Sequence, residues 1–141
     1  MRIKPVIKAR KTWTAKEVRE GAQLAETMLM EYKIFSKPGV VKLKFCGPAT
    51  ENFGQALQLD SEKYLVHLYK SKYWHSTIIH ELKHVQQFVF GRLALGTDVM
   101  FWKGREYSVE KLTGYEIWER QAYAAERKYC RKFGYETDVS T

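Results

Sequence analysis

The chain has 141 residues, 24 Lys+Arg against 16 Asp+Glu for a net charge of +8, and 45% hydrophobic residues. That is the length of one globular domain, able to bury a core without a disulfide scaffold, and its 14% aromatic content excludes extensive disorder. No apolar run approaches the ~20 residues of a membrane span, and no apolar stretch follows the basic N-terminus as a signal peptide requires.

Residues 1–12 are basic and without a clear period, and are expected to be a flexible segment. Thr14 and Glu17 have the spacing of a capping box. Val18, Ala22, Leu24, Ala25, Met28 and Leu29 then recur at helical spacing, which predicts a helix over 15–32, ended by Ser36-Lys37-Pro38-Gly39. Strands are predicted at 40–46, 55–59 and 64–69, the last two joined by Asp60-Ser61-Glu62-Lys63 as a hairpin. A second helix is expected over 74–91, with Gly91 or Gly96 closing it, then a short hairpin or irregular loop over 98–108. A third helix is expected over 114–133, ended by Gly134, and a frayed polar tail over 135–141. Cys46 and Cys130 lie far apart in sequence and outside any CxxC, so a reduced pair in a cytoplasmic protein is expected.

The second helix contains His80-Glu81-Leu82-Lys83-His84. A four-residue step puts both imidazoles on one helix face, one turn apart, where their nitrogens can meet one zinc ion. Glu81 follows the first histidine directly. It can lean toward a water at the metal without itself coordinating, and act there as general base.

A catalytic zinc site needs a third protein ligand, and no histidine follows His84. Upstream, His75 lies about 140° around the helix from His80, and His67 reads as a strand-face residue. The remaining candidates are the acids of the third helix, Glu116, Glu119 and Glu126. Glu119 sits on a face of apolar and small residues with Trp118, Ala122 and Tyr123. Glu126 shares that face and can support a ligating histidine from behind. Glu116 reads as solvated.

His80 to Phe88 (HELKHVQQF), then Phe101 to Tyr107 (FWKGREY), then Tyr115 to Tyr123 (YEIWERQAY) resemble small gluzincin-type zinc metallopeptidases of bacteria and their phages. The likeness covers about residues 64–127. It implies zinc held by His80, His84 and Glu119, with Glu81 as general base and Gln87 orienting the site. Where that family often has Pro before the Glu-bearing segment, this chain has Glu116-Ile117. Tyr115, four residues before Glu119, is the candidate donor to the oxyanion of a tetrahedral intermediate, with Tyr107 as its rival. Trp74, Trp102 and Trp118 are expected to pack around the site. Repressor-cleaving metallopeptidases of mobile elements also pair HExxH with an E-x-x-A helix, but their Asn/Asp-x-Phe-Ala continuation is Tyr123-Ala124-Ala125-Glu126 here.

The resulting expectation is a single α+β domain of zincin-like type. A small sheet packs on an N-terminal helix, the HExxH helix and a C-terminal helix, and the edge strand 64–69 lies beside the cleft, where an extended peptide can pair with it. The expected activity is zinc-dependent hydrolysis of a peptide or protein substrate, in the host cytoplasm if the chain is phage-encoded. Two other readings are a basic binding protein with a structural or vestigial zinc, its +8 surface engaging nucleic acid or an acidic protein, and an assembly or virion component. Cleavage specificity and oligomeric state are not legible.

Overall fold

The computed structural model describes residues 1–139. The chain is α+β. It runs β1 (Arg2–Ile7), α1 (Ala15–Glu31), β2 (Val40–Pro48), β3 (Gly54–Asp60), β4 (Lys63–Lys70), α2 (Trp74–Val89), β5 (Leu93–Leu95), β6 (Val99–Trp102), β7 (Arg105–Ser108), a 3-10 turn at Val109–Lys111, and α3 (Ile117–Phe133). No described helix is long and apolar enough to cross a membrane.

The main sheet has the order β1-β2-β4-β3. β1 and β4 flank β2 in parallel, and β3 returns antiparallel along β4. A parallel pair cannot be closed by a tight turn, and α1 supplies the crossover from β1 to β2. Alternation fixes the buried face: Val41, Leu43 and Phe45 of β2 and Val66 and Leu68 of β4 are wholly buried with Met28 and Leu29 of α1 and Ile78, Ile79 and Leu82 of α2. A second, antiparallel sheet is formed by β5, β6 and β7.

Two expectations about the sheet are corrected. The N-terminal segment is not flexible: Arg2 to Ile7 pair in register with Val40 to Phe45. Pro5 has no N–H for a ladder, and an edge strand is where it is tolerated. Nor is 64–69 an edge, because β4 lies between β2 and β3, and the edge strand beside α2 is β3.

The helix termini follow the local chemistry. Thr14 Oγ1 accepts from Glu17 N at 3.0 Å, and the Glu17 carboxylate accepts from Thr14 N at 2.9 Å, completing the capping box. α2 stops at Val89, with Phe90 as its cap. α3 ends on Gly134 in the left-handed region at φ 78°. It starts at Ile117 rather than 114, because the Glu116 carboxylate accepts from Thr113 N, Thr113 Oγ1 and Gly114 N at 2.8–3.0 Å and holds that stretch as a turn. Cys46 and Cys130 are buried and free of disulfides.

The tail folds back as far as it is described. Tyr135 stacks on His75 at 4.2 Å between ring centroids, and Thr137 Oγ1 donates to Glu126 Oε2 at 3.2 Å. The last two residues of the expected frayed tail lie outside the described residues.

Candidate metal centre

α2 packs along α3, and wholly buried Ala122 lets the two helices approach closely. His80 and His84 are one turn apart on α2. Glu119, Tyr123 and Glu126 share one face of α3 at steps of four and three. His80, Glu81 and His84 bring ligand-capable atoms within 4.8 Å of one another. Glu119 stands closer still: its Oε1 is 3.1 Å from His80 Nε2 and 2.7 Å from His84 Nε2, and the two Nε2 atoms are 3.2 Å apart.

The far side of each ring is anchored, which fixes its tautomer. The Trp118 carbonyl can only accept, so the Gln87 amide nitrogen faces it at 3.0 Å, with Gln121 Oε1 at 3.1 Å. That turns Gln87 Oε1 toward His84 Nδ1 at 2.8 Å, which must carry the proton. His80 Nδ1 is held by the Glu126 carboxylate, whose other oxygen accepts from Ser76 Oγ. Both rings in their neutral form therefore aim Nε2 lone pairs at the Glu119 oxygen.

Three lone-pair donors at 2.7–3.2 Å repel unless something positive lies among them. That can be a proton or a metal cation. Zinc at ~2.0–2.1 Å from N and O ligands in tetrahedral geometry separates its donors by about 3.3 Å. The triangle is slightly tighter than this, and two imidazoles with one carboxylate are a zinc donor set, so the residues fit the ion.

Without a metal the proton takes the position. Burial alone would lower the His80 imidazole, but its bonds to Glu119 and Glu126 outweigh burial and raise it from 6.5 to about 10. Burial would raise Glu119, yet the hydrogen bonds from His80 and His84 hold it well below the carboxylate range. Glu81 is raised, chiefly by burial, against the pull of the two histidines. Tyr123, its ring 5.0 Å from that of His80, is also raised, by burial and then by Glu119 and Glu126.

The triangle opens into a cavity of about 460 Å³ whose lining includes Gly54 to Leu57 of β3, Glu81, Trp118, Glu119 and Tyr123. Among the described residues, six carboxylates, Glu51, Glu81, Glu116, Glu119, Glu126 and Asp138, and no Lys or Arg line it. Gly54 is required where β3 meets α2: an added Cβ would lie 2.6 Å from Thr77 Cγ2 and 3.2 Å from Glu81 Cγ.

His80, Glu81, His84, Glu119, Glu126 and Gln87 converge here. Tyr115 does not: it precedes α3, is 75% exposed and is absent from the cavity lining, because the helix on whose face it was expected begins two residues later. Tyr107 packs edge-on against Trp118, ring centroids 5.1 Å apart. His67 lies on the sheet face opposite buried Val66 and Leu68, and His75 is bonded to Glu20. Trp102 and Trp118 are buried beside the site, and Trp74 packs instead on Trp13 at the other end of α2. Sequence reasoning missed Tyr123 as a site residue, although its four-residue step from Glu119 carries the signal. Comparison with known proteins finds no matching family model, no matching curated protein and no matching solved structure.

Proposed function

We propose that the chain is a zinc-dependent metallopeptidase of gluzincin type on a minimal zincin-like fold. The observation that carries this reading is the convergence of His80 Nε2, His84 Nε2 and Glu119 Oε1 with both imidazoles anchored from behind. A structural zinc site is closed by four protein ligands, whereas this one opens onto a cavity and keeps a buried carboxylate, Glu81, beside the histidines.

His80, His84 and Glu119 would hold zinc, which would supply Lewis acidity toward a water and a substrate carbonyl. Glu81 takes the proton of the attacking water and hands it to the leaving amine. Glu126 and Gln87 hold the two rings in the Nδ1–H tautomer throughout. Tyr123, kept protonated by its surroundings, donates to the carbonyl oxygen as that oxygen gains charge. The edge strand β3 lines the cavity and offers its free backbone edge to an extended peptide. The carboxylate lining favours peptides bearing Lys or Arg.

Elemental analysis of chelator-free protein tests the reading. One zinc per chain is expected in wild type and less in Glu119→Ala and His84→Ala. Glu81→Gln should keep the metal and lose peptide hydrolysis. Wild-type protein that takes up no zinc after reconstitution would overturn the proposal.

A further inference from the structure

Among the described residues the cavity lining carries no Lys or Arg, and four cations stand together on the opposite face of the main sheet. α1 and α2 cover the face of Val41, Leu43, Phe45, Val66 and Leu68. Alternation puts Arg2 and Lys4 of β1, Lys42 and Lys44 of β2, and Leu65, His67 and Tyr69 of β4 on the other face, all exposed or half-buried. The register aligns them in rows: Lys4 beside Lys42 beside Leu65, and Lys44 beside His67.

Like charges on neighbouring strands, about 4.8 Å apart, repel. Among the described residues none of these four cations has an acid within salt-bridge distance. Asp60 at the hairpin end is 3.8 Å from Lys63, and no other strand position of this face carries an acid. The two halves differ in chemistry. β1 and β2 present a basic strip, with Lys42 and Lys44 about 6.7 Å apart along the strand. β4 presents Leu65, His67 and Tyr69, the two rings 6.3 Å apart. Burial, and then Lys44 and Lys8 nearby, lowers His67, so its ring is neutral at pH 7.

We propose that this open sheet face binds single-stranded nucleic acid. The phosphates run over Arg2, Lys4, Lys42 and Lys44, and bases stack on Tyr69 and His67. An acidic protein surface would satisfy the lysines and leave the ring-bearing strand idle. A single strand uses both halves, because every base has a π-face and every link a charge. The proposal does not depend on the candidate metal centre, whose ligand side chains come from α2 and α3 on the covered side.

Fluorescence anisotropy with a labelled 20-nucleotide oligo(dT) tests it, using the full chain and its Lys42→Glu/Lys44→Glu and Tyr69→Ala variants. Wild type is expected to bind saturably at 50 mM salt and to weaken steeply toward 200 mM. The double reversal should weaken binding at least about tenfold and Tyr69→Ala at least about fivefold, the low end for one base–aromatic stack. Circular dichroism melts check folding, and Lys42→Gln/Lys44→Gln substitutes if the reversal does not fold. Absence of saturable binding would overturn the proposal, as would variants that bind like wild type. So would competition by poly-glutamate or a 20-base-pair duplex as effective as that by unlabelled oligo(dT), which would assign the face to acidic partners in general.

Discussion

Gln87 reads the Trp118 carbonyl and fixes His84. Its amide nitrogen donates to that carbonyl at 3.0 Å, and its oxygen accepts from His84 Nδ1 at 2.8 Å. The residue that sets the tautomer of one candidate ligand is thus itself set by the backbone of the helix that brings the third. Removing such a partner typically costs 10–100-fold in metal affinity. Gln87→Ala is therefore expected to weaken zinc binding by about that factor, measured by competition with a chromophoric chelator. Unchanged affinity would mean that Gln87 only packs.

The metal-free protein should show the His80–Glu119 couple in its pH dependence. His80 is raised from 6.5 to about 10, so its stabilising contribution is complete below 6.5 and disappears as pH climbs through about 10. Glu119 is depressed, so its contribution is present above its ordinary 4.5 and disappears on acidification. Chelator-treated protein should melt at progressively lower temperature from pH 7 to 10, and Glu119→Gln should flatten that limb. A limb equally steep in the variant would assign it to other groups.

Zinc uptake at pH 7 must displace the proton that His80 holds. Calorimetric titrations in buffers of different ionisation enthalpy should report close to one proton released per zinc. Release near zero would show that His80 is neutral before the metal arrives.

Tyr123→Phe should lower kcat about 10²-fold with zinc content intact, the usual cost of one oxyanion donor. Tyr115→Phe should leave both untouched, since Tyr115 is exposed and outside the cavity lining. The reverse ranking would restore Tyr115.

Gly54→Ala places a methyl 2.6 Å from Thr77 Cγ2 and 2.9 Å from the His67 carbonyl. Overpacking of this kind costs about 1–3 kcal/mol. Urea unfolding should show that loss, and Thr77→Ser, which removes the clashing methyl, should recover part of it. An unaffected midpoint would mean that β3 moves away freely.

How far the sequence reached depended on how local the signal was. The Thr14–Glu17 capping box, the His80/His84 pair and the Gly134 stop are rules spanning five residues or fewer, and they were readable. The third donor was not decided by spacing alone, because Glu116, Glu119 and Glu126 are all acids of one segment, and the resemblance singled out Glu119. Tyr115 was misplaced on α3 through one local event, the capture of Thr113 and Gly114 by Glu116, which delays α3 and takes Tyr115 off its face. β1 was hidden because Pro5 on its inner face and Val6 on its outer face break the apolar alternation of an edge strand. The inner place of β4 depends on its pairing with β2 across the intervening β3, which no window of sequence records.

The chain order of the site has a consequence for biosynthesis. His80 and its Glu126 partner are 46 residues apart, and every carboxylate that α3 brings emerges from the ribosome after both histidines. At about 5–20 residues per second, the histidines are outside for a few seconds before the site can be completed. On the proposed reading, a nascent chain therefore exposes the two histidines without their third donor until α3 has emerged.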